Sequence, residues 1–200
     1  MKRLPFLIFS LCLLLPSAAR AANNILVFGD SLSAGYGIAR SAAWATLLQA
    51  EVAGQGYAVV NASISGETTA GGLRRIEPAL HEHRPTIVIV ELGANDGLRG
   101  TPLAETEKNL DAIIRHAKQA HAKVLLLGMQ LPPNYGPAYT QRFRELYPKL
   151  AKRHRVALVP FMLADIPPEQ FQADNLHPNA VAQSQILANL RPYLQPLLRR

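Results

Sequence analysis

Five short apolar runs constrain the fold of this chain more than any other feature of its sequence. They cover residues 25–28, 57–60, 86–92, 123–129 and 156–161, and they are rich in Val, Ile and Leu. The runs are continuous rather than alternating, a pattern typical of strands that are covered on both faces in a parallel sheet. Stretches with helical periodicity separate them, so the sequence predicts an α/β chain folded as a three-layer α/β/α sandwich.

One serine and two prolines guide the placement of the intervening helices. Ser41 is predicted to cap the first long helix. Pro78 is predicted to divide residues 67–83 into two short helices, because proline has no backbone N–H to donate. Pro178 suits the first position of a helix and is predicted to open the last one.

The first 21 residues have the pattern of a targeting segment. Two basic residues precede a short apolar run, residues 4–15, and small residues follow at Ala19 and Ala21. This pattern is typical of a secretory signal peptide, and the run is too short to span a hydrocarbon core of about 30 Å. We therefore expect residues 1–21 to be cleaved. Residues 22–200 would then form a single domain that is periplasmic or secreted and has no stable membrane anchor.

Charge and cysteine content exclude several classes of function. The formal net charge is +7, and loss of the predicted signal peptide removes three basic residues and leaves +4. No block of like charges suggests a nucleic-acid partner. Cys12 is the only cysteine and lies in the predicted signal peptide. The expected mature domain therefore has no disulfide, no thiol nucleophile and no cysteine metal site.

Polar residues follow the predicted strands at the points where the strands end. Ser31 follows the first run, Gly66 the second and Asn95 the third, while Asp174 and His177 come after the fifth. In an open parallel sheet, the carboxyl ends of the strands meet at one edge, and ligands bind there. The sequence therefore predicts that a hydroxyl, a glycine N–H, an amide, a carboxylate and an imidazole lie at one edge of the sheet.

These residue types suit nucleophilic catalysis. A serine hydroxyl becomes reactive when a neighbouring base accepts its proton, and His177 is the natural base because imidazole titrates near neutral pH. Asp174 would share a face with His177 if the segment DNLHP formed one helical turn, and it could then fix the tautomer of the imidazole. Alternatively, His177 is a solvent-exposed histidine at a helix cap.

The same edge offers donors for an oxyanion. The backbone N–H groups of Gly66 and Ser31 and the side-chain amide of Asn95 could stabilise the charge that develops in acyl transfer. Alternatively, Gly66 and Asn95 are ordinary turn residues. The chain lacks the Gly-x-Ser-x-Gly motif of α/β-hydrolases and has no phosphate-binding P-loop.

The chain contains, in order, the segments GDSLSAGYG, SISGE, GAND and DNLHP, which resemble the four motif blocks of the SGNH, or GDSL, hydrolase family. The segments NASISGET, VELGANDGLRG, LPPNYG and YPKLAK resemble one branch of that family in particular. That branch comprises the exported multifunctional acyl-CoA thioesterase I, protease I, lysophospholipase and arylesterase enzymes. The resemblance extends over essentially all of residues 22–200.

The resemblance implies a flavodoxin-like sheet of five parallel strands in the order 2-1-3-4-5. It implies that Ser31 is the nucleophile and that His177 is the base, oriented by Asp174. Gly66 and Asn95 would form the oxyanion hole together with the amide of Ser31. The implied activity is hydrolysis of esters and thioesters with medium to long acyl chains, lysophospholipids among them. No metal and no cofactor are expected, and we expect a monomer.

Neighbouring residues receive supporting roles. Asp30 is implied to be a structural acid that holds the nucleophile turn, and Ser33 is interpreted as a source of local hydrogen bonds. Leu98, Pro133 and Tyr135 are predicted to line an apolar pocket for the acyl chain. Alternatively, these side chains only pack loops onto the core. A mobile loop at residues 97–102, which contains two glycines, is predicted to adjust the pocket to acyl length.

Two other functions stay open at this point. The same site could serve a carbohydrate O-deacetylase, although the single tryptophan argues against an aromatic sugar platform. The chain could also be a non-catalytic binding module that has kept the fold. A narrow preference for acetyl over octanoyl esters would favour the deacetylase, and a folded protein inert to every activated ester would favour the binding module.

Overall fold

The computed structural model of the protein describes residues 23–199, so the predicted signal peptide and Cys12 lie outside the described residues. The strands of its single sheet run in the order β2-β1-β3-β4-β5, and every neighbouring pair is parallel. This order confirms the predicted sheet. The strands are β1 Asn23–Gly29, β2 Tyr57–Asn61, β3 Ile87–Glu91, β4 Lys123–Leu127 and β5 Ala157–Val159.

Seven α-helices accompany the sheet in the part of the chain that the structure describes, and the last of them follows the final strand. None of these helices within residues 23–199 is long and apolar enough to cross a membrane. The helices are α1 Ser31–Ala34, α2 Trp44–Val52, α3 Thr69–His83, α4 Ala94–Leu98, α5 Leu103–Gln119, α6 Pro137–His154 and α7 Gln183–Leu198.

The strand order determines which face of the sheet each helix covers. Crossover connections between parallel strands are right-handed, so α2, which leads from β1 to β2, lies on one face. The connections through α3, α5 and α6 run the other way across the sheet and lie on the opposite face. Accordingly, α3, α5 and α6 pack side by side, whereas α2 packs against α7. The direction of winding reverses at β1, which is the point where open α/β sheets bind ligands.

The middle of the sheet is the centre of the core. The four residues of the first apolar run, residues 25–28, are completely buried, and so are Val88, Ile89 and Val90 of β3. The edge strand β2 is half-buried, because only one neighbouring strand covers its side. Continuous apolar character therefore marks the central strands, as the pattern of the sequence predicted.

Two of the predicted helix boundaries are wrong. Ser41 lies in a single 3-10 turn, Arg40–Ala42, and α2 begins only at Trp44. The backbone N–H of Trp44 is satisfied instead by the side chain of Gln183, at 3.1 Å, because α7 packs against this end of α2. Pro178 forms an isolated bridge with Phe171, and α7 begins five residues later. Long-range packing thus replaces the local caps that the sequence suggested.

The predicted division of the third helical segment at Pro78 is also wrong. The structure has one helix there, α3, with Pro78 inside it. Ile76, Ala79 and Leu80, on either side of the proline, are buried in the core. Burial of this apolar face outweighs the hydrogen bond that the proline cannot donate. Gly72 brings α3 close to the sheet, since a Cβ at this position would lie 2.5 Å from a methyl group of Leu92.

Candidate active site

The turn after β1 holds Ser31 at the switch point of the sheet. Ser31 is the first residue of α1, and the buried side chain of Asp30 caps this helix by accepting a hydrogen bond from the N–H of Leu32 at 3.0 Å. Acidic residues are favourable caps because the first N–H groups of a helix have no partner within it. The cap fixes the start of α1 and thereby the place of the Ser31 hydroxyl.

The loop between β5 and α7 brings a histidine to this hydroxyl. The Nε2 atom of His177 lies 2.8 Å from Oγ of Ser31, and its Nδ1 atom lies 2.7 Å from Oδ2 of Asp174. The side chain of Gln172 helps to hold the loop, since its Nε2 donates to the carbonyl of Tyr36 at 2.8 Å. The ring of Tyr36 also contacts the imidazole, with ring centroids 4.6 Å apart.

The acid and the histidine meet by a different geometry from the one that their spacing suggested. The segment DNLHP is not a helical turn, because Asn175 adopts the left-handed region, with φ of 55°. Oδ1 of Asp174 accepts hydrogen bonds from the N–H groups of Leu176 and His177, at 2.9 and 3.0 Å. Aspartate commonly forms such turns with the backbone two and three residues ahead. Its second oxygen remains free for the imidazole.

The hydrogen bonds of Asp174 also determine its charge. Burial raises its pKa, but the N–H groups of His177 and Leu176 and the imidazole outweigh burial and hold the pKa at about 2. The carboxylate is therefore ionised at neutral pH and can only accept hydrogen bonds. Nδ1 of His177 must then carry a proton, which leaves a lone pair on Nε2 for the hydroxyl of Ser31.

The predicted oxyanion donors lie beside the nucleophile turn, Gly66 on the loop after β2 and Asn95 in the short helix α4. Gly66 has φ of 78°, a conformation that favours glycine, and its carbonyl accepts from Nη2 of Arg99 at 3.1 Å. The side-chain nitrogen of Asn95 donates to Oδ2 of Asp30 at 2.9 Å and to the carbonyl of Glu67 at 3.0 Å. Both amide hydrogens of Asn95 thus have acceptors. To donate to an oxyanion, Asn95 would have to weaken or break one of these two hydrogen bonds.

Beneath the turn lies an acid that the sequence analysis missed. Glu91 is completely buried at the end of β3, and its Oε2 accepts a hydrogen bond from the hydroxyl of Ser33 at 2.8 Å. The interpretation of Ser33 as a source of local hydrogen bonds is wrong, because its partner is 58 residues away in the chain. The signal in the sequence was a single acid within the apolar run 86–92, where a charge has no favourable place.

An apolar cavity opens beside the Ser31 hydroxyl. Asn95, His177 and Leu98 all line it, whereas Pro133 and Tyr135 line adjoining depressions instead. Tyr135 nevertheless bonds to this region, because its hydroxyl donates to the carbonyl of Leu98 at 3.1 Å. Further apolar side chains of the cavity were not predicted. They include Leu32, Met129, Leu131, Pro132, Phe161 and Leu163.

An imidazole between a serine hydroxyl and an ionised carboxylate is the arrangement of hydrolases that use a serine nucleophile. Comparison with known proteins agrees with this class. The profile of the GDSL-like lipase/acylhydrolase family matches residues 27–184, so the chain belongs to that family. This membership confirms the resemblance found in its motifs.

Three similar proteins illustrate the relationship. The chain is 48% identical to the esterase TesA of Pseudomonas aeruginosa over 192 residues, which cover 94% of this chain and 96% of that protein. It is 45% identical to thioesterase 1/protease 1/lysophospholipase L1 of Escherichia coli strain K12 over 197 residues, which cover 98% and 93%. The crystal structure of the psychrotrophic esterase EstA from Pseudoalteromonas sp., inhibited by monoethylphosphonate, matches with a TM-score of 0.83 and 38% identity. This match covers 89% of this chain and 100% of EstA.

Proposed function

We propose that the protein is a serine hydrolase that cleaves carboxylic esters and thioesters through an acyl-enzyme on Ser31. One observation carries the proposal: the imidazole of His177 joins Oγ of Ser31, at 2.8 Å, to the carboxylate of Asp174, at 2.7 Å. The names of the relatives, an esterase and a thioesterase/lysophospholipase among them, support the same chemistry.

The reaction begins when Oγ of Ser31 attacks the acyl carbonyl carbon and gives its proton to Nε2 of His177. The ionised Asp174 stabilises the imidazolium that forms. His177 then passes the proton to the leaving alcohol or thiol as the acyl bond breaks. A water molecule, deprotonated by the same imidazole, attacks the acyl-enzyme and releases the carboxylic acid with regeneration of Ser31.

Three donors would stabilise the tetrahedral intermediate: the N–H groups of Ser31 and Gly66 and the side-chain amide of Asn95. Each such donor typically contributes about 3 kcal/mol to catalysis. We propose that Asn95 turns one hydrogen from the carbonyl of Glu67 towards the oxyanion and keeps its bond to Asp30. The bond to the carbonyl of Glu67 is the one given up because this acceptor carries no formal charge, and a hydrogen bond to the carboxylate of Asp30 is stronger.

The apolar lining of the cavity supports acyl chains as the group that binds there. An acetyl group would leave most of this lining exposed to water, whereas a longer chain would cover it. We therefore propose medium to long acyl esters, thioesters or lysophospholipids as the substrate class, in preference to acetylated carbohydrate.

A chain-length series tests this function. The rates of hydrolysis of p-nitrophenyl esters from acetyl to palmitoyl should be measured beside palmitoyl-CoA and a lysophospholipid, together with the site of labelling by an organophosphonate. We expect covalent labelling at Ser31 and a higher kcat/KM for octanoyl than for acetyl esters. A strict acetyl preference would favour the deacetylase, and a folded protein inert to all of these substrates would contradict hydrolysis.

Leu98 is proposed to set the preference for acyl length, because it lines the cavity next to Ser31. Leu98→Ala should lower kcat/KM for long-chain esters by about tenfold and leave acetyl esters nearly unchanged, as expected for lost apolar contact in a pocket. Pro133→Ala is the matched control, because Pro133 lines the adjoining depression and not the cavity beside Ser31. An unchanged ratio of long-chain to acetyl rates in Leu98→Ala would contradict the assignment.

The predicted loop at residues 97–102 is helical at its start, because Gly97 and Leu98 belong to α4. We propose movement of the remainder, residues 99–102. Gly97 is packed, since a Cβ there would lie 2.7 Å from a methyl group of Leu131. Gly100 has φ of 70° and open space around it, so it is the position at which the loop would bend. Tyr135→Phe, which removes the bond to Leu98, serves as a second variant in the chain-length series.

Residues 1–21 are proposed to be a cleaved signal peptide that directs the domain of residues 22–200 to the periplasm. The apolar run after two basic residues and the small residues at Ala19 and Ala21 support this. N-terminal sequencing of the exported protein should give Ala22 as the first residue, and an intact N-terminus on that protein would contradict cleavage.

A further inference from the structure

Two buried carboxyl groups lie directly beneath the nucleophile, and the proposed mechanism uses neither of them. Asp30 is 1% exposed and Glu91 is fully buried. Oε2 of Glu91 accepts hydrogen bonds from the backbone N–H of Asp30 at 3.1 Å and from the hydroxyl of Ser33 at 2.8 Å. These two donors stand on either side of Ser31 in the chain, so a single oxygen holds the turn in front of and behind the nucleophile.

The end of β1 is shaped to admit this glutamate. Gly29 pairs with Glu91 in the register of β1 and β3. A Cβ at Gly29 would lie 2.6 Å from Oε2 of Glu91 and 2.9 Å from Oγ of Ser33, and side chains do not tolerate such distances. The absence of a side chain at Gly29 therefore makes room for the contact between Glu91 and the turn.

The surroundings of Glu91 favour its neutral form. Oε1 of Glu91 is buried and has no hydrogen-bond partner among the described residues, an environment that disfavours a charged carboxylate oxygen. Burial and then the charge of Asp30 raise the pKa of Glu91 well above its ordinary value. Burial also raises the pKa of Asp30, but only to about 6, because the N–H of Leu32 and the side-chain amide of Asn95 donate hydrogen bonds to it.

The titratable groups around the pair agree with a proton on Glu91. The charge of His177, when the imidazole is protonated, favours the anionic form of Asp30. Tyr147 of α6 and Asp96 of α4 also face this region, and burial together with the carboxyl groups raises the pKa of Tyr147 well above its usual range. Tyr147 therefore stays neutral and adds no charge that would favour a second carboxylate.

We propose that Glu91 is a positioning residue that acts as a neutral carboxylic acid and fixes both Ser31 and the amide of Asn95. Its Oε2 accepts from the N–H of Asp30 and from the hydroxyl of Ser33 and thereby holds the turn. The carboxylate of Asp30, on the same turn, accepts from the side chain of Asn95 at 2.9 Å. The inference rests on the proposed role of Ser31, and Glu91 itself touches no substrate.

The positioning role predicts different results for two substitutions. Glu91→Gln keeps a carbonyl oxygen for the two donors, so we expect kcat within about threefold of wild type. Glu91→Ala leaves the N–H of Asp30 and the hydroxyl of Ser33 without an acceptor. We expect kcat to fall about a hundredfold with little change in KM, as misplacement of reacting groups does.

The neutral state predicts a pH-dependent difference in stability between wild type and Glu91→Gln. Because the pKa of Glu91 is raised in the folded protein, folding takes up a proton at pH values between the ordinary value of 4.5 and the raised one. The stability of the wild type should therefore fall as the pH rises through this interval, whereas glutamine has no proton to take up. The Tm of wild type minus that of the variant should decrease steadily from pH 4.5 towards neutral pH.

Controls separate positioning from loss of folding. Val124→Ala, at a buried site near the start of β4, provides a variant with lowered stability and an untouched site. If Glu91→Ala does not fold, Ser33→Ala tests the same contact, with an expected fall in kcat of about fivefold for the loss of one hydrogen bond. Circular dichroism at the assay temperature reports folding in each case.

Several outcomes would overturn the inference. A folded Glu91→Ala with wild-type kcat, or Ser33→Ala with wild-type kcat where Glu91→Ala is unfolded, would show that the contact does not position the nucleophile. A Glu91→Gln variant as impaired as Glu91→Ala, or a Tm difference that is constant with pH, would show that Glu91 is ionised. Ser31→Ala is measured in parallel, because activity that survives in that variant refutes the proposed function and not the role of Glu91.

Discussion

Ser31→Ala should lower kcat for ester hydrolysis by about ten thousandfold or more and abolish labelling by an organophosphonate. The substitution removes the only atom that the proposed mechanism bonds to the acyl group, while the cavity and the oxyanion donors stay in place. Loss of the nucleophile in a serine hydrolase has effects of this size, and the activity that remains comes from binding and oxyanion stabilisation. Steady-state kinetics and intact-mass measurement after labelling provide the two readouts.

The matched control for this experiment is Ser184→Ala, because Ser184 is an exposed serine on α7. Its kinetics and its labelling should equal those of the wild type. Ser33 is the serine that would compete with Ser31 for the role of nucleophile, but it is fully buried and bonded to Glu91. A mass increase that persists in Ser31→Ala would contradict the assignment of the nucleophile.

His177→Ala should reduce kcat by a similar factor, about ten thousandfold, because the hydroxyl of Ser31 then has no base. The double variant Ser31→Ala, His177→Ala should be no less active than Ser31→Ala, since residues that act as a unit are not additive. Rates of p-nitrophenyl ester hydrolysis and of labelling measure both effects. A His177→Ala protein that is labelled at the wild-type rate would refute the role of this histidine as the base.

The chain offers an internal control for this variant. Nε2 of His154 lies 2.8 Å from Oδ1 of Asp111, so the protein contains a second pair of histidine and carboxylate, on α6 and α5. This second pair belongs to a network of charges between the two helices, which includes Arg153. His154→Ala should leave kcat unchanged, because no serine hydroxyl lies beside this imidazole.

The sequence predicted the sheet and the pairing of Ser31 with His177 because these depend on regular features. Apolar runs at the right intervals dictate buried parallel strands, and parallel strands carry the residues that follow them to one edge. The position of Ser31 after β1 and of His177 after β5 follows from this rule. The order of the strands was implied by the motif resemblance and not by the apolar runs, and the structure confirms it.

Features that depend on neighbours distant in the chain could not be predicted in the same way. The start of α2 depends on Gln183, which lies 139 residues further along, and the continuity of α3 through Pro78 depends on burial of its apolar face. Glu91 was missed for a related reason. The contacts of Glu91 with Gly29 and Ser33 give this residue its place in the site, and they form only when β1 and β3 pair.

The residues that line the acyl cavity were predicted only in part. Leu98 was predicted from its place after β3 and lines the cavity, whereas the neighbouring Pro132 lines it in place of Pro133. Adjacent loop residues have similar positions along the chain, but the direction of each side chain depends on backbone angles that no periodic pattern encodes.

The separation of the two reacting side chains has a consequence for biogenesis. Ser31 and His177 are 146 residues apart, and the loop that carries His177 follows the last strand of the sheet. Hydrolysis therefore requires that the edge strand β5 and the final helix α7 have both packed onto the sheet. The central strands of that sheet, β1 and β3, come much earlier in the sequence. Turnover of a chromogenic ester is thus an assay of complete folding. A folding intermediate whose final segment has not yet packed would contain the nucleophile and most of the core, but it would be inactive.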